Sequence, residues 1–258
     1  MLINCGDLLY LTLCLHVMGI IVPYMISLHR NIFEPPLPFI SQAVGSMPES
    51  GLFSLFVIPG SFMGIFSCAA INKVSSAQVQ RFLEIIDKAS VRCGVIYFLS
   101  WVFISAFPFT FTDLPNKREW VFSVLCGHMI AALSMLGSCV LFIIFQGILS
   151  WNDQRNRREL DLRWKLAVLV APVTVIGIFS LTAVAFEELG ANNALPMTEI
   201  LYVLPSKFSF SYLITSICEW TLILAMWFTL ATFCADMSKN NFRIEIRHKT
   251  TKEMCTKK

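Results

Sequence analysis

The amino-acid sequence predicts an all-α polytopic membrane protein with six transmembrane helices and both termini in the cytosol. Hydrophobic residues make up 56% of the 258 residues and charged residues only 14%, whereas a soluble domain carries about 25% charged residues. Six stretches are long and apolar enough to cross a bilayer. Lys and Arg are concentrated in the segments on one side of those stretches.

The six predicted helices each contain about 20 or more mostly apolar residues, which is the length that a hydrocarbon core about 30 Å thick requires. They cover approximately residues 8–28, 52–71, 93–112, 121–149, 166–186 and 208–235. We expect the first to be a membrane helix rather than a signal peptide, because no basic segment precedes it. The sequence thus predicts a single six-helix domain over residues 1–258, in which residues 236–258 form a basic cytosolic tail.

The distribution of Lys and Arg predicts the orientation. Sixteen of the 20 Lys and Arg residues lie in the connections between helices two and three and between helices four and five, or in the tail. The other side holds Arg30, Lys117, Arg118 and Lys207. Because cytosolic segments carry the excess of Lys and Arg, and the number of helices is even, we expect both termini in the cytosol.

The first non-cytosolic connection, residues 31–51, is predicted to form a cap. It carries four Pro residues, which restrict its backbone, and it is more apolar than a solvated linker. We expect it to fold over the outer ends of the helices.

The connection of residues 73–92 fits two interpretations. Its apolar residues Val79, Phe82, Leu83 and Ile86 have the spacing of one helical face. Either the second and third membrane helices extend into the cytosol, or an amphipathic helix lies on the lipid headgroups.

Three ionisable residues fall inside the predicted spans: His16, His128 and Glu219. An unpaired carboxylate near the middle of a bilayer costs at least about 2.5 kcal/mol, so we expect Glu219 to face the bundle interior, protonated or hydrogen-bonded. The rise of the helix places both histidines at depths that allow a Glu–His contact. Such a contact fits a structural hydrogen bond, a proton-sensitive switch or a site for a lipid headgroup.

Gly60 and Gly64 form a small-xxx-small pattern on the second helix. Small residues at this spacing allow two membrane helices to approach closely. The pattern therefore predicts a helix-packing contact. Pro23, Pro59, Pro108 and Pro172 lie inside predicted spans and are expected to bend them.

The sequence contains no signature of a soluble enzyme, a metal site or a cofactor site. No Cys-x-x-Cys occurs among the nine Cys residues, and most of them lie in apolar stretches. We expect no catalysis, no metal and no cofactor. The basic tail fits either attraction to anionic lipid or an ordinary positive-inside anchor, and nucleic acid is not an expected partner.

Two sequence motifs resemble the DRAM (damage-regulated autophagy modulator) family. The first motif lies in the first loop and consists of Pro-Phe-Ile-Ser at residues 38–41 and Pro-Glu-Ser at residues 48–50. Its residues are Pro38, Phe39, Ile40, Ser41, Pro48, Glu49 and Ser50. The second motif is centred on the pair Glu219 and Trp220. His128 falls where the family places a His at the opening of the fourth helix. The family's Asp-Thr-Gly stretch is replaced here by residues 42–45, Gln-Ala-Val-Gly.

The resemblance implies a non-enzymatic membrane protein that promotes autophagy in lysosomal or other endomembranes. The plasma membrane remains an alternative, because the sequence contains no short lysosomal sorting signal. The wider six-helix group also contains factors that remodel GPI anchors, regulators of phosphoinositide kinase complexes and tentonin-type proteins. Two other functions are therefore open: lipid handling of the GPI-remodelling type, and an accessory or scaffold subunit of a channel or a kinase complex. For each, the expected partners are the bilayer and a lipid or another membrane protein.

Overall fold

The computed structural model contains six helices that are long and apolar enough to cross a membrane. It describes residues 2–31, 37–75, 81–108, 118–152, 158–191, 209–239 and 243–245. Within these residues the prediction of a six-helix polytopic membrane protein is confirmed. Most of the predicted tail and several residues of the predicted loops, among them Val79, Lys117 and Lys207, lie outside the described residues.

Seven helices and two three-residue strands follow one another along the described chain. The strands are β1 (Leu2–Asn4) and β2 (Arg243–Glu245). The helices are α1 (Cys5–His29), α2 (Ile40–Ala43), α3 (Glu49–Ser75), α4 (Arg81–Ala106), α5 (Arg118–Asn152), α6 (Arg158–Ala191) and α7 (Phe210–Lys239). All except α2 are candidate spans.

Most spanning helices are longer than predicted, because an apolar stretch marks only the part immersed in hydrocarbon. α3 continues to Ser75 and α4 begins at Arg81, as the interpretation of helical extensions requires. At its other end, however, α4 stops at Ala106, whereas a helix to residue 112 was predicted. Pro108 explains this error, since it has no N–H group and disfavours helical geometry in the preceding residue.

β1 and β2 pair antiparallel, with Ile3 opposite Ile244. The two ends of the described chain therefore lie on the same side of the bundle, which we call the terminal side; the opposite side is the cap side. Asn4 also caps α1, because its side-chain oxygen accepts a hydrogen bond of 2.9 Å from the Gly6 N–H. The strand pairing holds residues 243–245 against the N-terminal segment, which the sequence analysis did not predict.

The helices form a closed arrangement in which α6 is peripheral. Along the chain, α3, α4, α5, α6 and α7 each pack against the preceding spanning helix, and α1 closes the arrangement against α7. α5 also contacts α7 directly, so α6 lies outside the other five helices. Only 6% of the α6 span is buried inside the protein, against 33–56% for the other spans.

The centre of the bundle is aromatic. Tyr97, Phe98 and Trp101 of α4 are at most 1% exposed and pack edge to face. In lipid the hydrophobic effect does not drive helices together, so close packing carries more of the association. Edge-to-face pairs add about 0.5–1.5 kcal/mol each beyond the area that they bury.

Gly60 and Gly64 lie where α3 packs closely against α1 and α4. A Cβ atom on Gly64 would lie 2.4 Å from the Phe98 ring, and one on Gly60 would lie 2.9 Å from Nδ1 of His16. Any larger residue at either position would therefore have to displace an aromatic ring of α1 or α4.

Candidate functional site

The segment of residues 37–48, which includes α2, docks against the cap side of the bundle; we call it the cap segment. Ile40, Ala43 and Val44 are at most 4% exposed. α2 contacts both α1 and α7. The segment thus lies at the seam where the first and last membrane helices meet.

Three side chains of α7 bind the backbone of the cap segment. The indole Nε1 of Trp220 donates to the Pro38 carbonyl at 3.1 Å, and Oε2 of Glu219 accepts from the Ile40 N–H at 3.1 Å. The Phe39 N–H lies 3.4 Å from the Tyr212 hydroxyl. The Phe39 and Tyr212 rings also pack edge to face, with centroids 4.8 Å apart.

Gln42 and Ser27 complete the attachment of the cap segment. The side-chain oxygen of Gln42 accepts from the Phe39 N–H at 3.3 Å and also from the Tyr212 hydroxyl. The Ser27 hydroxyl of α1 donates to the Ala43 carbonyl at 2.6 Å. The side-chain oxygen of Gln42 thus provides the acceptor at this position.

Backbone groups outside a helix, and those at the ends of a helix as short as α2, must bond to protein at membrane depth, since hydrocarbon offers them no partner. In the cap segment side chains supply those partners at Pro38, Phe39, Ile40 and Ala43. The segment is therefore a structural part of the bundle and not a solvated linker, as the cap prediction requires.

Arg30 and Glu49 anchor the far end of the cap segment. Nη1 of Arg30 donates to both carboxylate oxygens of Glu49, at 2.7 and 2.8 Å, and to the Met47 carbonyl at 2.9 Å. Glu49 is fully buried and begins α3, so its negative charge also lies at the positive end of a helix dipole. The pair joins the end of α1 to the start of α3.

His16 lies in the bundle interior, 2% exposed. Nδ1 lies 2.9 Å from the Thr12 carbonyl, which can only accept, so Nδ1 carries the proton. Nε2 then accepts from the Ser61 hydroxyl at 3.2 Å. Both ring nitrogens are satisfied and the ring packs against Phe98 and Trp101, so His16 joins α1 to α3.

His128 is 3% exposed and joins α5 to the end of α4, because its Nδ1 donates to the Phe107 carbonyl at 2.8 Å. The hypothesis of a Glu–His contact is wrong within the described residues, since the hydrogen-bond partner of Glu219 is the Ile40 N–H. Sequence reasoning counted depth along helices and had no means of knowing that a loop would insert between them.

The observed bounds of α7 shift the expected depth of Glu219 toward the cap side. Asp236 lies in the last turn of α7, on the terminal side, and Glu219 lies about 25 Å from it along the helix. A hydrocarbon core is about 30 Å thick, so we expect Glu219 to lie nearer the cap-side boundary than the middle. Its side chain is half-buried, in agreement with a position at the edge of the bundle.

Replacing Glu219 with Gln is expected to change the free energy of unfolding only slightly. Glu219→Leu is expected to lower it by about 1–3 kcal/mol, which is the cost of an unsatisfied buried N–H. Gln keeps an oxygen that can accept from the Ile40 N–H, and Leu does not. Thermal unfolding of both variants in the same mild detergent measures the difference. Equal stability of the two variants would contradict the assigned role of the hydrogen bond.

The fold and the docked cap segment define a class: a multi-pass helical membrane protein whose first connection is built into the bundle. A family model described as the Frag1/DRAM/Sfk1/Cwh43P N-terminal domain matches residues 6–240, and the chain belongs to that family. It is 18% identical over 227 residues to DNA damage-regulated autophagy modulator protein 1 of Mus musculus and of Homo sapiens. Each alignment covers 87% of this chain and 87% of the relative. No solved structure matches the chain.

The two sequence motifs that carry the family resemblance contact each other. Pro38, Phe39 and Ile40 of the first motif are bound by Glu219 and Trp220 of the second and by Tyr212. Glu49 of the first motif pairs with Arg30 instead. The sequence identified both motifs, but Tyr212, Ser27 and Arg30 were missed as their partners because no motif contains them.

Proposed function

We propose that this protein is a non-enzymatic modulator of autophagy in lysosomal or other endomembranes that acts through a membrane partner or a lipid. The name of the two relatives supports the autophagy role. The non-enzymatic part of the proposal rests on one observation: the motif residues Glu219 and Trp220 bind the backbone of the cap segment. A carboxylate that holds a loop in place fits a scaffold protein better than an enzyme.

A rescue experiment tests the proposal. Cells that lack the protein are expected to show reduced autophagic flux, measured as the turnover of a lysosome-delivered reporter with and without a lysosomal inhibitor. Wild-type protein should restore the flux. Trp220→Phe, which keeps the ring but loses the N–H donor to Pro38, should restore less. Phe228→Leu, a change at an exposed position of the same helix, serves as the matched control.

Unchanged flux in cells without the protein would overturn the autophagy role. Location is measured in the same cells, by whether a tagged protein coincides with a lysosomal marker or with the plasma membrane. Affinity purification in mild detergent identifies the partner. A variant lacking residues 246–258 tests whether the basic tail recruits it while keeping the β1–β2 pairing.

Lipid handling of the GPI-remodelling type is the second candidate, and the position of Glu219 favours it. A half-buried carboxylate close to the cap-side membrane boundary is within reach of lipid headgroups. Purified protein in vesicles containing GPI-anchored substrate should then release or exchange an acyl chain, which mass spectrometry of the lipids detects. If the wild-type protein forms this product and the Glu219→Gln variant does not, lipid handling replaces the non-enzymatic proposal.

A further inference from the structure

The carboxylate of Glu219 uses only one of its oxygens for the cap segment. Oε2 accepts from the Ile40 N–H at 3.1 Å. Among the described residues, Oε1 has no hydrogen-bond partner and no Lys or Arg pairs with the group. Arg30, the cation that follows α1, forms its ion pair with Glu49. A carboxylate at a membrane boundary is stabilised by a cation, and the described part of the chain does not supply one.

Two aromatic side chains meet beside the cap segment that this carboxylate binds. Tyr24 of α1 and Trp220 of α7 pack edge to face, with centroids 5.5 Å apart. Tyr24 lies about 25 Å along α1 from Asp7 at the terminal-side end, which is the spacing found for Glu219 on α7. Both helices thus place this cluster near the cap-side boundary, where Trp and Tyr are enriched.

A carboxylate beside aromatic rings is the chemistry that recognises an ammonium group. The carboxylate supplies charge and a hydrogen-bond acceptor, and the rings supply cation–π attraction. Glu219 and Trp220 are both half-buried and Tyr24 is partly accessible, so the cluster lies at the surface of the bundle. A lipid headgroup in the adjacent leaflet can therefore reach it.

We propose that Glu219, Trp220 and Tyr24 form a binding site for the ammonium group of an amine-bearing phospholipid in the cap-side leaflet. Oε1 accepts an N–H from the primary ammonium of ethanolamine, or attracts the quaternary ammonium of choline through charge alone, while Oε2 keeps its bond to the cap segment. This proposal depends on the depth of the cluster in the bilayer. It does not depend on the proposed role in autophagy. Ethanolamine and choline headgroups both carry the required charge, whereas glycerol headgroups do not.

Native mass spectrometry of the wild-type protein tests the proposal without any substitution. Protein is reconstituted in nanodiscs that contain equal amounts of phosphatidylethanolamine, phosphatidylcholine and phosphatidylglycerol, and the retained lipids are counted after gentle release. We expect retention of the amine-bearing lipids over phosphatidylglycerol. Competition by dissolved ethanolamine would assign the same site to a free amine instead of a lipid. Equal retention of all three classes would overturn the proposal.

Glu219→Gln is the decisive variant, because it keeps the acceptor for Ile40 and removes only the charge. We expect it to reduce the preference for amine-bearing lipids about tenfold, as for the loss of a hydrogen bond to a charged group. Asp7→Asn, the same change at an exposed position on the terminal side, should leave the preference unchanged. Trp220→Phe keeps a ring and should reduce the preference less than Trp220→Leu. A preference that survives Glu219→Gln would overturn the site.

Discussion

Replacing Arg163 with Ala is expected to lower the free energy of unfolding by about 3–5 kcal/mol, because the change removes the buried cation of a largely buried ion pair. Arg163 attaches α6 to α7 on the terminal side. Nε donates to the Thr232 hydroxyl at 2.6 Å and Nη2 donates to Asp236 at 2.7 Å. The guanidinium also stacks on Phe233, 3.7 Å from the ring centre. The side chains of the ion pair are only 5% and 17% exposed.

Among the described residues, few other polar contacts hold α6. On the cap side, Thr215 of α7 donates to Ser180 at 2.9 Å, and most of the span faces lipid. Loss of Arg163 should therefore free the terminal-side end of this helix, which limited proteolysis in detergent detects together with a lower unfolding temperature.

Lys165→Ala provides the matched control for Arg163→Ala. Lys165 lies on the same helix, carries the same charge and pairs with Asp161 at a similar distance of 2.6 Å, but both side chains are more than half exposed. An exposed pair of this kind contributes little to stability, because water screens the two charges. Arg163→Lys should fall between the two, since Lys keeps the charge but cannot donate to two partners in a planar fork. Equal effects of Arg163→Ala and Lys165→Ala would contradict the role of burial.

The number of spans could be predicted from the sequence because the bilayer imposes one length on every helix. Helix ends were less predictable, since they depend on local chemistry outside the hydrocarbon. α6 begins at Arg158, eight residues before the predicted start, in a polar segment that the apolar count ignores. Pro108 was read as a bend inside a helix, but it lies just beyond the end of one.

The candidate site was only partly predictable. Glu219 stands out in any sequence because a carboxylate in an apolar helix requires an explanation. Its partner, the Ile40 N–H, is a backbone group 179 residues away, and no side-chain pattern marks a backbone donor. The same holds for Ser27, whose hydroxyl bonds to the Ala43 carbonyl. Periodicity identifies membrane helices, but it carries no information on where a loop inserts between them.

Arg30→Ala is expected to lower the free energy of unfolding by about 2–3 kcal/mol, which is less than a fully buried pair would give, since Arg30 itself is partly exposed. The side chain of Glu49 is 0% exposed and that of Arg30 is 44% exposed. Without Arg30, the Glu49 carboxylate keeps only the helix dipole of α3 for compensation. The Met47 carbonyl loses its donor as well, so the cap segment should exchange its amide hydrogens faster.

A double-mutant cycle separates the charge from the packing. Glu49→Gln in the Arg30→Ala background removes the buried charge, and we expect it to recover part of the lost stability, because the two residues are coupled. Lys88→Ala is the control, since Lys88 pairs with Glu84 at 2.6 Å while both side chains are about half exposed. If Glu49→Gln lowers stability by the same amount with and without Arg30, the two residues act independently and the cap segment does not depend on their ion pair.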